Sequence, residues 1–256
     1  MTAIVLKKER ESSLKRLHPW IFSGAVADIP ASLEMGQTVE VLSHDRRLLA
    51  RGAVSPRSQI AVRVWTFDPD QPVDEAFFLA RLTRAVDKRT ALMKSWPTTA
   101  LRLVNAESDG LPGLIVDRYG DFLVIQFLSA GAERWKKTIV EQLSRLVACR
   151  GIFERSDASV RDKEGLRPQK GVLWGEHPPE LVEIRESELG FLVDVVNGHK
   201  TGFYLDQREN RRALESCAKD ADVLNCFAYT GGFGLYALKG GARHVTNVET
   251  SGTATA

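Results

Sequence analysis

Residues 223–249, VLNCFAYTGGFGLYALKGGARHVTNVE, constrain the fold more than any other stretch of the chain. An apolar start, Val223-Leu224, runs through Asn225-Cys226-Phe227 into a turn carrying Gly231, Gly232 and Gly234. A helical run follows, closed by Gly240-Gly241, and then a second short strand that ends on Glu249. Strand, glycine turn, helix, strand and acid in that order make the opening half of a nucleotide-type βαβ unit. Glycines let backbone N–H groups approach a ligand at a helix N-terminus, and a carboxylate at the tip of the next strand accepts hydrogen bonds from ribose hydroxyls. Glu249 lies 17 residues beyond Gly232, close to the usual offset of about 20.

Two kinds of ligand suit that geometry. Gly232-Phe233-Gly234-Leu235-Tyr236-Ala237 matches G-x-G-x-x-A, the dinucleotide fingerprint, which alone is a weak signal. A polar and aromatic segment, Asn225 to Thr230, precedes the first glycine where a dinucleotide enzyme usually has an apolar strand. Such a segment suits S-adenosylmethionine, which has an amino acid in place of a pyrophosphate and an adenine that wants an aromatic or apolar slot. Both readings stay open at this level, as does a glycine turn that only connects packed elements.

At 256 residues and 43% hydrophobic, the chain can hold two domains, or three if they are small. A net charge of +2 does not by itself announce nucleic acid, but its distribution is uneven. Residues 1–72 hold 10 Lys/Arg against 8 Asp/Glu, residues 73–180 hold 17 against 15, and residues 181–256 hold 8 against 10. Cys149, Cys217 and Cys226 lack C-x-x-C spacing, so neither a disulfide framework nor a zinc site is expected and a reducing cytoplasm is the simplest home. Neither a signal-peptide core nor a membrane span is legible. The residues after Glu249 are small and polar and cannot supply a crossover to a third parallel strand, so the nucleotide-type sheet is expected to be cut short.

Before the glycine unit, residues 35–42, 48–54 and 60–65 alternate as strands, which predicts a small β barrel or sandwich. At its start Lys7, Lys8, Arg10, Lys15 and Arg16 precede His18-Pro19-Trp20-Ile21-Phe22. Cations followed by aromatics suit RNA phosphates and bases, although Trp20 and Phe22 would serve equally well as core residues. Asp74 is placed to cap a helix whose stripe is Phe78, Leu82, Ala85 and Leu92. Two strands flank a turn over residues 117–121, a second amphipathic helix carries Trp135, Ile139, Leu143, Leu146 and Val147, and a strand covers residues 152–155. Together these predict a compact α+β middle domain. In residues 190–212, Leu192-Val193-Asp194-Val195 reads as a strand, Asp206 as the cap of a helix beginning near Gln207, and Phe203-Tyr204 beside Lys200, Asp206 and Gln207 as a loop built to bind.

HPWIFSGAV at 18–26, ESDGLPGLIVDRYG at 107–120, ERSD at 154–157, GHKTGFYLDQR at 198–208 and LNCFAYTGGF at 224–233 together resemble the ribosomal RNA large subunit methyltransferase I family. The resemblance implies α+β and α/β domains in series: a PUA-like RNA-binding domain over residues 1–72, a central α+β domain over 73–180, and the start of a Rossmann-like methyltransferase domain over 181–256. It also implies S-adenosylmethionine as cofactor, carbon 5 of a cytosine in 23S ribosomal RNA as target, and naked RNA or a large-subunit assembly intermediate as partner. Neither a metal nor a membrane is expected as a partner.

Carried over by position, the resemblance places the cofactor at Phe203, Gln207, Asn225, Phe227, Tyr229, Thr230, Gly231, Gly232 and Glu249, the last where many relatives carry aspartate. RNA contact is expected at Lys7, Lys8, Arg10, Arg16, His18 and Trp20. The family's Asp-Pro-Pro-Lys motif and nucleophilic cysteine fall beyond residue 256, and none of the three cysteines matches the nucleophile. Since carbon 5 of cytosine becomes nucleophilic only after a thiolate adds to carbon 6, the 256-residue chain is expected to be inactive alone and to hold its cofactor weakly. An RNA-binding fragment without chemistry and a dinucleotide-dependent oxidoreductase are the alternatives.

Overall fold

The computed structural model describes residues 2–252, which form two compact units. The first runs to Ser95 and resumes at Arg102–Pro178. The second takes Trp96–Leu101 together with the chain from Pro179 onward.

The first unit begins with β1 (Ala3–Val5), α1 (Ser12–Lys15), β2 (Trp20–Phe22), β3 (Thr38–Leu42), β4 (Leu48–Val54) and β5 (Ile60–Thr66). These five strands form a sheet in the order β1-β3-β4-β5-β2, antiparallel except for β1 against β3. Val39 and Val41, with Ala50, Val62 and Val64, point to one core with Ile4, Leu6 and Ile21, the outcome their alternation predicts.

Helix α2 (Glu75–Ser95) opens on Asp74, whose Oδ1 accepts the N–H of Phe77 at 2.9 Å. It buries Phe77, Phe78, Leu82 and Ala85, whereas Leu92, expected on the same stripe, is 43% exposed. The stripe stops where Arg89 turns to a bidentate pair with Asp109 at 2.7 and 2.8 Å.

Then come β6 (Ala100–Asn105), β7 (Leu114–Tyr119), β8 (Phe122–Phe127), α3 (Ala130–Arg134), α4 (Lys136–Leu146), β9 (Gly151–Ser156), α5 (Val160–Glu164) and β10 (Gln169–Gly175), with sheet order β10-β9-β8-β7-β6. The turn expected at 117–121 is shorter. Asp117, Arg118 and Tyr119 belong to β7, and Tyr119 pairs with Phe122 across only Gly120-Asp121. Asp117 is tolerated inside the strand because Arg102 meets both its oxygens, at 2.8 and 3.0 Å.

Trp65 of β5 packs on Phe78 at 5.1 Å between ring centroids, and Phe78 on Trp135 at 4.5 Å, so the first sheet and the helices share an aromatic core. Beside it Glu164, 1% exposed, accepts from Ser55 Oγ at 2.8 Å, Ser58 Oγ at 2.7 Å and Arg63 Nη2 at 2.9 Å. Burial pushes this carboxyl up, but the Arg63 guanidinium and the two hydroxyls outweigh it and hold it below the usual carboxylate value.

The second unit contains the hairpin β11 (Val182–Glu186) and β12 (Leu189–Val193), α6 (Arg208–Cys217), β13 (Asp222–Cys226), α7 (Gly232–Lys239) and β14 (His244–Val248). Thr98 bridges Glu186, and Arg185 O accepts the N–H of Thr99 at 2.9 Å, so the borrowed segment lies along β11. β13 and β14 run parallel, Asp222 opposite His244 and Cys226 opposite Val248, with α7 as their crossover. The strand read at 192–195 ends at Val193, because the Asp194 side chain accepts the N–H groups of Val196 and Asn197 and turns the chain away. Asp206 does not cap α6. It sits in a 3-10 turn, Leu205–Gln207, and the helix starts at Arg208 without a side-chain cap. No helix among the described residues is long and apolar enough to cross a membrane.

Tyr236 of α7 is fully buried, its hydroxyl 3.5 Å from the Glu186 carbonyl oxygen. Burial and the neighbouring Glu186 carboxylate push its ionisation up to about 12 from an ordinary 10. The unfolded chain therefore loses this proton first, and stability in the second unit is lost as pH rises from 10 toward 12. Tyr236→Phe is expected to flatten that alkaline loss in urea unfolding at pH 8 and pH 11. An equal loss in variant and parent would refute the assignment.

Candidate cofactor cleft

The glycine turn and its partners enclose a cleft of about 390 Å³, within the range of about 300–1,000 Å³ of small-molecule sites. Its lining falls within residues 199–249. β13 delivers the chain at Cys226 and α7 carries it away from Gly232, and of the residues between, Phe227, Ala228, Tyr229 and Thr230 line the cleft. Phe227 and Tyr229 both take left-handed backbone, φ +59° and +50°, and Phe227 is 91% exposed. Side chains adopt that backbone at a cost of about 1–3 kcal/mol and persist in it only where neighbours hold them.

Neighbours of that kind surround Tyr229. Its N–H donates to Glu249 Oε2 at 2.7 Å, its hydroxyl donates to the Gly202 carbonyl at 2.8 Å and accepts the His199 N–H at 3.0 Å, and its ring stacks on the His199 imidazole at 4.7 Å. Tyr204 stands edge-on to the same ring at 5.4 Å. Loop, strand tip and the 198–204 segment are thus fixed through one tyrosine.

The glycines have separate duties. Gly231 takes φ +73° immediately before the helix. A Cβ on Gly232 would lie 3.3 Å from Arg211 Cδ and 3.7 Å from Phe203, and one on Gly234 would lie 2.7 Å from Asn247 Oδ1. Gly231 supplies the left-handed turn, Gly232 keeps the helix N-terminus open to the cleft, and Gly234 lets α7 pack on β14.

The strand expected to end on Glu249 stops at Val248, and Glu249 follows it with both oxygens facing backbone donors. Oε1 accepts the N–H groups of Thr250 at 2.7 Å and Ser251 at 2.9 Å, while Oε2 accepts Tyr229. The N–H groups of Ser251, Tyr229 and Thr250 hold the carboxyl below its ordinary value. Among the described residues Oε2 accepts only from Tyr229, which leaves it an acceptor position that a ligand hydroxyl can use.

Of the residues expected at a cofactor, Phe203, Gln207, Phe227, Tyr229, Thr230, Gly232 and Glu249 line this cleft. Asn225 and Gly231 do not. The Asn225 amide donates to Asn247 Oδ1 at 2.8 Å, which ties the two strands, and Gly231 acts through its backbone. His199, Tyr204, Arg211, Ala228 and Phe233 also line it and were not singled out as cofactor residues. Tyr204 belongs to the loop read as built to bind, and His199, inside the same 198–208 motif, could have been read from it. Arg211 gives no such signal, being one of several charges on a polar helix.

The residues expected at RNA lie in the first unit. Lys7, Lys8, Arg10, Arg16 and His18 are exposed, and Lys7 donates to the Gly24 carbonyl at 3.2 Å. Trp20 is half-buried, its indole N–H held by Glu107 Oε1 at 2.8 Å and its face under the Arg63 guanidinium at 5.4 Å.

A parallel βαβ unit with an acid just beyond its second strand, following an N-terminal β-rich sheet, has the geometry of a nucleoside-cofactor site. The chain belongs to the S-adenosylmethionine-dependent methyltransferase family, whose profile matches residues 120–254, and a PUA-like domain profile matches residues 4–67. It is 53% identical over 249 residues to a protein of Aliivibrio fischeri (strain MJ11) named ribosomal RNA large subunit methyltransferase I, covering 97% of this chain and 63% of that protein. A protein of the same name from Aeromonas salmonicida (strain A449) is 54% identical over 251 residues, covering 98% and 63%. The chain thus spans about 63% of the length of these curated relatives. Among solved structures it is similar to a methyltransferase in complex with SAH, at TM-score 0.85 and 26% identity, covering all of this chain and 64% of that one.

Proposed function

We propose that this protein serves S-adenosylmethionine-dependent methylation of ribosomal RNA of the large subunit, at carbon 5 of a cytosine in 23S RNA. The single observation that carries the reading is the convergence of the Gly231-Gly232 turn, the Tyr229 loop and the Glu249 carboxylate on one cleft, in the order a nucleoside cofactor needs. The cleft fits such a cofactor. Phe203, Phe227 and Phe233 offer apolar and aromatic surface for adenine, the free acceptor of Glu249 suits a ribose hydroxyl, and Gln207, Thr230 and the N-terminus of α7 offer polar partners to an amino-acid end. Asn225 and Gly231 hold that arrangement from behind. When bound, the cofactor supplies an electrophilic methyl group, and these residues bind and orient it.

The names borne by the relatives support ribosomal RNA as substrate and a cytoplasmic setting. Lys7, Lys8, Arg10, Arg16 and His18 offer a basic surface to phosphates, and Trp20 serves as a fixed neighbour of that surface. Residues 1–72, 73–180 and 181–256 are read as RNA-binding, central and methyltransferase segments. The nucleophile needed for carbon 5 is not matched by Cys149, Cys217 or Cys226, so the 256-residue chain is expected to hold its cofactor weakly and not to transfer its methyl group.

Calorimetry of this chain with S-adenosylmethionine, S-adenosylhomocysteine and NAD titrated separately tests the reading, with labelled methyl transfer to 23S RNA transcripts as a second arm. Heat is expected with the first two ligands and no transfer. Heat with NAD alone would replace the reading with a dinucleotide enzyme, and transfer by this chain would overturn the assignment of the nucleophile.

A further inference from the structure

We infer that Arg211 is a positioning residue of the cleft, a buried guanidinium that sets the aromatic wall against the start of α7. The inference rests on the cleft being a cofactor site. It begins with an oddity of packing: Arg211, 2% exposed, is the one residue of α6 that is buried, so no fully buried apolar residue accounts for the docking of that helix. Every side of its guanidinium is used. Nε donates to Glu186 Oε1 at 2.8 Å and Nη2 to Glu186 Oε2 at 2.7 Å, a bidentate pair with a carboxylate that is itself 1% exposed. Nη1 donates to the Tyr204 carbonyl at 3.1 Å, and the flat face lies 4.7 Å from the Phe203 ring centroid. Its Cδ is the atom a Cβ on Gly232 would meet first.

Phe203, Tyr204 and Gly232 all line the cleft, on two different walls. One guanidinium therefore fixes the distance between the aromatic segment and the helix N-terminus, with Glu186 of β11 as its anchor. Arg208 serves the anchor rather than the cleft. Its Nε donates to Glu186 Oε2 at 3.3 Å and its Nη2 to the Ala100 carbonyl at 2.7 Å. A lysine at 211 would keep the charge but lose both the fork and the flat face, so it could not hold Glu186, Tyr204 and Phe203 together.

The test measures S-adenosylhomocysteine affinity by calorimetry, and thermal unfolding, for the full 256-residue chain, Arg211→Lys, and Val182→Ala, which removes buried volume from β11 away from the cleft. Arg211→Lys is expected to weaken the ligand at least tenfold at a temperature where it is fully folded, while Val182→Ala lowers the unfolding temperature and leaves affinity within twofold. Should Arg211→Lys fail to fold, Glu186→Gln, which keeps shape and removes charge, is expected to show the same tenfold loss. Affinity unchanged in a folded Arg211→Lys, or equally weakened in Val182→Ala, would make the arginine merely structural and overturn the inference. A parent chain that binds NAD and not S-adenosylhomocysteine would instead remove the cofactor reading beneath it.

Discussion

Glu164→Ala is expected to destabilise the first unit by about 3–5 kcal/mol, the loss that follows when one partner of a buried ion pair is removed and the other stays behind. Arg63, 7% exposed, would keep its charge with Glu107 at 3.4 Å as its remaining ion-pair partner among the described residues, and the hydroxyls of Ser55 and Ser58 would lose their acceptor. Glu164→Gln keeps the size and an acceptor oxygen and should lose less. Because the folded carboxyl titrates below its unfolded value, its contribution is present above the unfolded value and is lost as pH falls through the folded one. Urea unfolding followed by tryptophan fluorescence near neutral pH reads the effect. A loss under about 1 kcal/mol would mean that the pair is no better than a surface one.

Glu249→Ala is expected to weaken S-adenosylhomocysteine by about a hundredfold. Two losses combine. The ligand loses a charged acceptor, and the loop loses the group that holds the N–H of Tyr229 in left-handed backbone and gathers the N–H groups of Thr250 and Ser251. Glu249→Asp retains the charge on a side chain one methylene shorter and separates the contributions. If both variants bind as the parent does, the acid has no part in recognition and the cleft is read wrongly.

The glycines, the acid and the alternating strands were legible because each follows from a local rule. Backbone conformation demands glycine at 231, and period two marks β3 to β5. What escaped reading is mostly charge placed where hydrophobic periodicity assigns surface. Asp117 was given to a turn, yet it lies buried in β7 against Arg102, and Arg211, unread within a polar helix, lies buried against Glu186. β10 went unread because Gln169, Lys170, Val172, Trp174 and Gly175 are exposed on an edge strand and show no clean alternation. These residues depend on partners far away in sequence, Arg102 for Asp117 and Glu186 for Arg211, and no local window contains both members of the pair.

The loan of Trp96–Leu101 to the second unit bears on how the molecule can be taken apart. The chain passes between units after Ser95, after Leu101 and after Pro178, so no single cleavage yields the second unit whole. A fragment beginning at Pro179 would lack Thr98 and Thr99 along β11, and Arg208 would lose the Ala100 carbonyl and the Trp96 ring that its guanidinium faces. A transplant of the cofactor cleft onto another protein must therefore carry a splint of six residues drawn from elsewhere in the chain. The portable module is discontinuous, and its seam lies about eighty residues upstream of its body.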